Sequence, residues 1–425
     1  MATIPADVRG KRILTLDIVR GVAVMGILAM NIVAFAMPEQ AMFNPLAYGS
    51  ERAIDFASYA FSFIFVEGKM RGLFSFLFGA SMLLVIQLAT AKGESPAKVT
   101  FARQFWLLLF GLAHFYLIWW GDILIGYALI GMIAWFFRGK SPKSLMGWGI
   151  GLIAVQFLFL ASVAAMTMTL SAAVSAPNPD PNLVETWRGI TEMIAIPSSA
   201  VLNADLAVYR GSWPGIVEHH MTDRLWMPFI FTAAMGMETL GYMLLGMAGL
   251  KSGFLTGQQD NRRYRKVAIV CLAIALPAYA LLAAWLFADE FEVTTLSAVS
   301  AATVAFRPLM VFAYAALIIL ATRQGGWLVD RIAAAGRAAF TNYLGTSILL
   351  TALFYGWGLG LYGSLGRAEL WLVVLAMWAL MLAWSKPWLD RFAYGPFEWL
   401  WRSLSRLSAQ PMARRSPSVA PAAGA

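Results

Sequence analysis

A few ionisable residues of this chain sit inside apolar stretches, where a charge is costly and function is the first expectation. His114 lies about 11 residues into the apolar run that begins near residue 103, roughly 16 Å along a helix. Histidine is the side chain most easily tuned to exchange protons near neutral pH, which makes His114 a candidate general base. The other reading is a buried neutral histidine bonded to a backbone carbonyl. Asp122, eight residues on, past Trp119-Trp120-Gly121, is the carboxylate that could orient it. Asp17 and Arg20 are spaced i, i+3, so they share a helix face and can pair. They read either as an interfacial ion pair or, through Arg20, as an anchor for an anionic substrate group such as a phosphate. Arg71, in Glu67-Gly-Lys-Met-Arg71, opens an apolar stretch at what reads as its outer edge, with Lys69 expected to snorkel to the interface. Glu238 and Arg307 fall at similar depths, about 18 Å and about 14 Å into their segments. They either neutralise each other or line a polar cavity.

Other chemistries find little support. His219-His220 lacks companion acids or cysteines at ligand spacing and reads as a surface pair, so no metal site is expected. No glycine-rich phosphate loop, serine-nucleophile motif or pair of glycosidase acids stands out. Cys271 is the single cysteine, which excludes a disulfide scaffold.

The elements that must hold these residues are hydrophobic. Of 425 residues, 60% are apolar and only 13% charged, with a mean hydropathy of +0.67. A soluble domain carries about 25% charged residues, and a soluble surface this apolar would aggregate. The composition therefore predicts an all-α, polytopic transmembrane helix bundle with the lipid bilayer as its first partner. About twenty apolar residues cross a membrane. By that length, spans are expected near 14–37, 70–90, 103–120, 123–138, 144–169, 226–250, 267–287, 298–320, 333–356 and 368–386, about ten in all. The stretch 53–66 is too short to cross and reads as a short interfacial or half-inserted helix leading into the next span. The first span follows Lys11-Arg12 and is too long for a cleavable signal, so it is expected to remain as an anchor.

Charge sets the orientation. The loops with Lys92, Lys98 and Arg103, with Arg138, Lys140 and Lys143, with Lys251 and Arg262–Lys266, and with Arg323 and Arg331 are basic. So are both termini, through Arg9, Lys11 and Arg12 and through Arg402, Arg406, Arg414 and Arg415. The alternate loops are acidic. The positive-inside rule then puts both termini in the cytoplasm of a multi-pass bacterial inner-membrane protein. The same loop placement accounts for the net charge of +9 without nucleic acid as a partner. The expected organisation is an N-terminal half (1–170), an extracytoplasmic loop (171–225) with short surface helices near 183–195 and 198–210, a C-terminal half (226–408), and a disordered tail (409–425).

Several of these segments resemble one family. RILTLDIVRGVAVMGILAMNI (12–32), EGKMRGLFSFLFGAS (67–81) and GLAHFYLIWWGDILIGYALIG (111–131) are similar to the YeiB-like bacterial inner-membrane proteins. The stretches GRAAFTNYLGTSILLTALFYGWGLGLYG (336–363) and SKPWLDRFAYGPFEWLWRSLSR (385–406) resemble their domain of unknown function 418. The Leu16-Asp17-x-x-Arg20-Gly21 element is also similar to membrane acyltransferases of the heparan-α-glucosaminide N-acetyltransferase type. That resemblance implies acyl-CoA as a co-substrate on one side of the membrane, with no bound cofactor, and an envelope glycan or lipid as acceptor on the other. In those enzymes the active histidine follows the first span; here no histidine occurs between residues 33 and 70, and His114 would take its place. The expected function is thus a membrane acyltransferase in which Arg20 holds the donor, His114 acts as base, and Asp122 and Arg71 line the outer entrance. The rival is a transporter or exporter of a small anionic or amphiphilic solute, with Glu238, Arg307 and His114 along its route.

Overall fold

A computed structural model describes residues 13–413 and is all-α. The basic residues Arg9, Lys11, Arg12, Arg414 and Arg415 lie outside the described residues. The helices are α1 (Leu14–Ala36), α2 (Gln40–Phe43), α3 (Ala53–Phe65), α4 (Lys69–Ala91), α5 (Pro96–Leu117), α6 (Leu124–Ala134), α7 (Pro142–Val174), α8 (Pro181–Ile194) and α9 (Ser199–Tyr209). They continue with α10 (Trp213–Thr222), α11 (Met227–Lys251), α12 (Asn261–Ala288), α13 (Val293–Ala321), α14 (Trp327–Arg337), α15 (Ala339–Phe354), α16 (Arg367–Arg391) and α17 (Pro396–Ser405). Local chemistry sets several starts. Ser95-Pro96, Ser141-Pro142 and Asp180-Pro181 each place a capping oxygen just before a proline in the first turn.

Seven stretches among the described residues are long and apolar enough to cross a membrane: α1, α3 with α4, α7, α11, α12, α13 and α16. The segments expected at 103–120, 123–138 and 333–356 are helical but more polar or shorter. Arg103, Gln104 and His114 interrupt α5, and α6 and α15 are short apolar helices. The last of these segments also breaks at Ala338, because Glu398 of α17 caps α15. Its Oε1 accepts from the backbone N–H groups of Phe340 (2.6 Å) and Thr341 (3.1 Å), and its Oε2 from the Thr341 hydroxyl (2.5 Å). A carboxylate there satisfies orphan donors and opposes the helix dipole.

The 53–66 stretch, expected to be interfacial or half-inserted, is α3, which buries Asp55, Tyr59 and Phe63, packs on α12 and α16, and leads into α4 as one broken 39-residue apolar element. Two further expectations are corrected. The 171–225 segment carries a third helix, α10, and buries Tyr209, Ile216 and His220 against the bundle. The tail expected to be disordered begins with an ordered stretch. Gln410 O accepts from Trp399 Nε1 (2.6 Å) and Met412 O from Ala393 N (2.9 Å).

Both large cores draw residues from either side of the 171–225 segment. One crossing fixes much of this. α1 and α14 pack so closely that a Cβ on Gly336 would collide with the Asp17 carbonyl oxygen, and one on Gly21 with that of Ile332. Gly336→Ala is therefore expected to destabilise the protein by at least about 2 kcal/mol, the scale of an overpacked core. Gly345→Ala meets nothing within 4 Å and should raise stability by about 0.5–1 kcal/mol. Thermal unfolding of the two purified variants checks the contrast.

Candidate functional site

α5 ends one turn after His114, and residues 118–123 reverse the chain into α6. This turn brings Asp122 back onto the histidine. Asp122 Oδ2 lies 2.7 Å from His114 Nδ1, and Oδ1 accepts from Ile125 N at 2.8 Å. The two side chains are 1% and 0% exposed. Gly111, one turn before His114, admits α6 this closely, since a Cβ there would lie 2.7 Å from Ile125 N. Trp119 stacks on Phe35 at 3.8 Å and closes one side. With Nδ1 committed to the carboxylate, the neutral ring carries its proton there and leaves Nε2 as the basic nitrogen. His114 Nε2 is buried and accepts no hydrogen bond among the described residues. Such a nitrogen can take a proton from a hydroxyl or amine placed beside it.

The ring of Tyr343 lies 5.2 Å from that of His114, and its hydroxyl accepts from Ile123 N at 3.3 Å. Tyr343 and Ile123 also line a cavity of about 1630 Å³ among α1, α4, α5, α6, α15 and α17, whereas His114 and Asp122 stand just behind its wall. The volume exceeds the roughly 300–1,000 Å³ of common small-molecule pockets, so a long ligand fits. Seven basic residues line it (Arg20, Arg103, Arg138, Lys140, Lys251, Arg337 and Arg402) against two acids, Asp17 and Glu398. Glu398 is already engaged as the α15 cap. Arg20 holds Asp17 (3.1 Å) and Ser81 Oγ (2.5 Å), which fixes its guanidinium on the cavity wall. Arg103 stacks on Trp401 at 3.9 Å and Arg402 on Tyr394 at 4.4 Å. This lining suits a polyanion.

Glu238 and Arg307 do meet, at 2.5 Å, and Arg71 joins them, at 2.6 Å from the other Glu238 oxygen. Arg71 therefore lies within the bundle rather than at an outer entrance, because α4 starts deep, where α3 ends. Lys69 does not snorkel. It is 1% exposed, with Nζ 3.5 Å from the Tyr279 ring centroid and hydrogen-bonded to Phe63 O. The structure thus gives three centres: His114–Asp122, Asp17–Arg20 at the cavity, and Arg71–Glu238–Arg307. Tyr127 joins the last two, since it lines the cavity and its hydroxyl donates to Arg71 O at 3.4 Å. Sequence reasoning did not place Tyr343, Tyr127, Arg103 or Arg402 at a site, although the two tyrosines fall in the 336–363 and 111–131 stretches and the two arginines in the basic segments that set orientation.

His219-His220 is not a surface pair. His220 is fully buried, with Nε2 3.4 Å from Tyr209 OH, while His219 Nδ1 sits 2.8 Å from Asp223. Arg224 holds Glu39 at 2.9 Å, and Tyr362 donates to Asp205 at 2.8 Å, docking this segment on the bundle.

Fold and cavity together describe an all-α protein of membrane character with a ligand-sized basic chamber beside a buried His–Asp pair. A family model described as a protein of unknown function (DUF418) matches residues 250–408. The chain is 31% identical over 437 positions to the uncharacterized protein YxaH of Bacillus subtilis (strain 168), covering 98% of this chain and 100% of that one. It is 33% identical over 417 positions to the uncharacterized protein YeiB of Escherichia coli (strain K12), covering 94% and 98%. An uncharacterized 39.9 kDa protein encoded in an amylase 3′ region of Bacillus acidopullulyticus is 24% identical over 397 positions, covering 93% and 94%. The chain belongs to the YeiB-like DUF418 family. No solved structure matches it significantly.

Burial, aided by Arg224 and His219, pushes the His220 pKa down to about 3. Its unfolded value is near 6.5, so below that pH the unfolded chain binds more protons and stability is lost. Burial raises the Asp205 carboxyl, which acts in the opposite sense. Acidification from pH 7 to pH 5 is therefore expected to cost the wild type about 2 kcal/mol more than His220→Asn. Thermal midpoints at the two pH values check this.

Proposed function

We propose that the protein is a cytoplasmic-membrane acyltransferase that takes an acyl group from cytoplasmic acyl-CoA and passes it to an envelope glycan or lipid. The observation that carries this reading is the cavity. Its basic lining suits the phosphates of a coenzyme A thioester, and its wall at Tyr343 and Ile123 lies one side chain from His114. A ten-span arrangement with both termini cytoplasmic, read from loop charge, puts Arg138, Lys140, Lys251 and Arg402 at the cytoplasmic mouth. Arg20 then binds a donor phosphate from inside.

In the reaction, the acceptor hydroxyl or amine gives its proton to His114 Nε2 as its oxygen or nitrogen bonds to the thioester carbonyl carbon. The C–S bond breaks, and the imidazolium returns the proton to the leaving thiolate. Asp122 holds the ring and stabilises its charged form. This requires Tyr343 to give way so that the thioester reaches Nε2. Against transport through a shared route, Glu238 and Arg307 pair with each other, away from His114, and none of the three lines the cavity.

Inside-out membrane vesicles from cells producing the protein, supplied with acyl-labelled acetyl-CoA, are expected to label an envelope component. His114→Ala should cut that labelling by about a hundredfold or more. A folded His114→Ala protein that transfers label undiminished would remove His114 from the mechanism, and solute movement without any CoA dependence would favour the transporter.

A further inference from the structure

The broken helix α3–α4 has features the acyl-transfer reading does not use. Its two halves meet at Val66–Gly68 inside the bundle, since Arg71, in the first turn of α4, reaches Glu238 in the middle of α11 and shares it with Arg307 in the middle of α13. Gly68 adopts φ +69°, a turn that favours glycine, and its backbone lies against the Arg307 guanidinium. The first backbone N–H groups of α4 are already engaged there, Lys69 N by Glu67 O (2.8 Å) and Met70 N by Val66 O (3.2 Å), which leaves side chains as the free donors at the break.

Hydrogen bonding points to a ligand here. The guanidinium groups of Arg71 and Arg307 stand beside Glu238, with Glu67 within electrostatic reach of Arg71, Arg307 and Arg367. Two buried donors are unused: Arg307 Nε and the hydroxyl of Tyr242, which is 2% exposed. Tyr242 lies within electrostatic reach of Arg71, Glu238 and Arg307. The place is also reachable. Arg71 and Arg307 keep 21% and 13% side-chain exposure, and Glu67 is exposed although protein surrounds it.

We propose that the α3–α4 break is a second binding site, for one phosphate-type oxyanion held by Arg71, Arg307 and the Tyr242 hydroxyl. It is separate from the basic cavity and independent of whether acyl transfer occurs there. Guanidinium groups present paired donors that match phosphate oxygens. Glu238 competes for the same two arginines and keeps them in place when the site is empty. The anion could come from a membrane lipid headgroup or from a small soluble phosphate.

The test is thermal unfolding of the full chain in nanodiscs. One arm titrates inorganic phosphate against chloride at constant ionic strength in phosphatidylcholine, and the other raises the fraction of phosphatidylglycerol. A saturable rise in midpoint is expected in one arm, and that arm identifies the source. Tyr242→Phe removes a hydroxyl that makes no hydrogen bond in the fold, so its ligand-free midpoint should stay level or rise. Its anion affinity should fall about tenfold, the size of one hydrogen bond to a charged group. Glu238→Gln should bind the anion more tightly than the wild type and recover lost stability when it is added. If neither arm stabilises the wild type, or Tyr242→Phe and Glu238→Gln both respond as the wild type does, the cluster is a structural ion pair and the proposal fails.

Discussion

Taking an ionised side chain out of water costs several kcal/mol unless a partner or a hydrated space receives it. In a chain this apolar, that constraint decides where every charged residue can stand. Asp122 is tied to His114 and to the start of α6, Glu238 is shared by two arginines, and Glu398 disappears into the amino end of α15. Seven basic residues, with only two acids among them, gather around one large cavity. The same rule that stabilises the bundle thus concentrates positive charge where a polyanionic ligand can use it.

Close backbone packing supplies the frame for this arrangement. The glycine contacts between α1 and α14 hold Asp17 and Arg20 against the base of α15. Gly111 lets α6 approach α5 until Asp122 meets His114. Because the Glu398 cap and Trp401 both come from α17, a helix near the end of the chain completes, with α15, a cavity whose other walls include α1, α4, α5 and α6. The site cannot be assigned to one half of the sequence.

Much of this was legible from hydropathy, because a run of about twenty apolar residues leaves few choices other than a helix. The positions of α1, α7, α11, α12, α13 and α16 follow that signal closely. The similar depths of Glu238 and Arg307 foretold their pairing. What escaped notice depended on contacts between distant segments. Arg71 joins the pair only because α4 begins deep in the bundle, and Lys69 is covered by Tyr279 of α12. His220 is buried by Tyr209 and its neighbours. The break at Ala338 comes from a carboxylate on α17, 58 residues from Phe340. Spacing alone left the His114–Asp122 contact undecided, because it turns on how residues 118–123 reverse the chain.

The claim that bears the most weight is that the basic cavity holds an acyl-CoA donor. It is tested most directly by thermal unfolding of the purified protein in nanodiscs with and without acetyl-CoA, for the wild type and for Arg20→Gln. At a hundredfold excess over Kd the wild type should gain about 2.7 kcal/mol, and most of that gain should vanish in Arg20→Gln. No shift at millimolar acetyl-CoA, or an equal shift in both proteins, would contradict a donor site at Arg20.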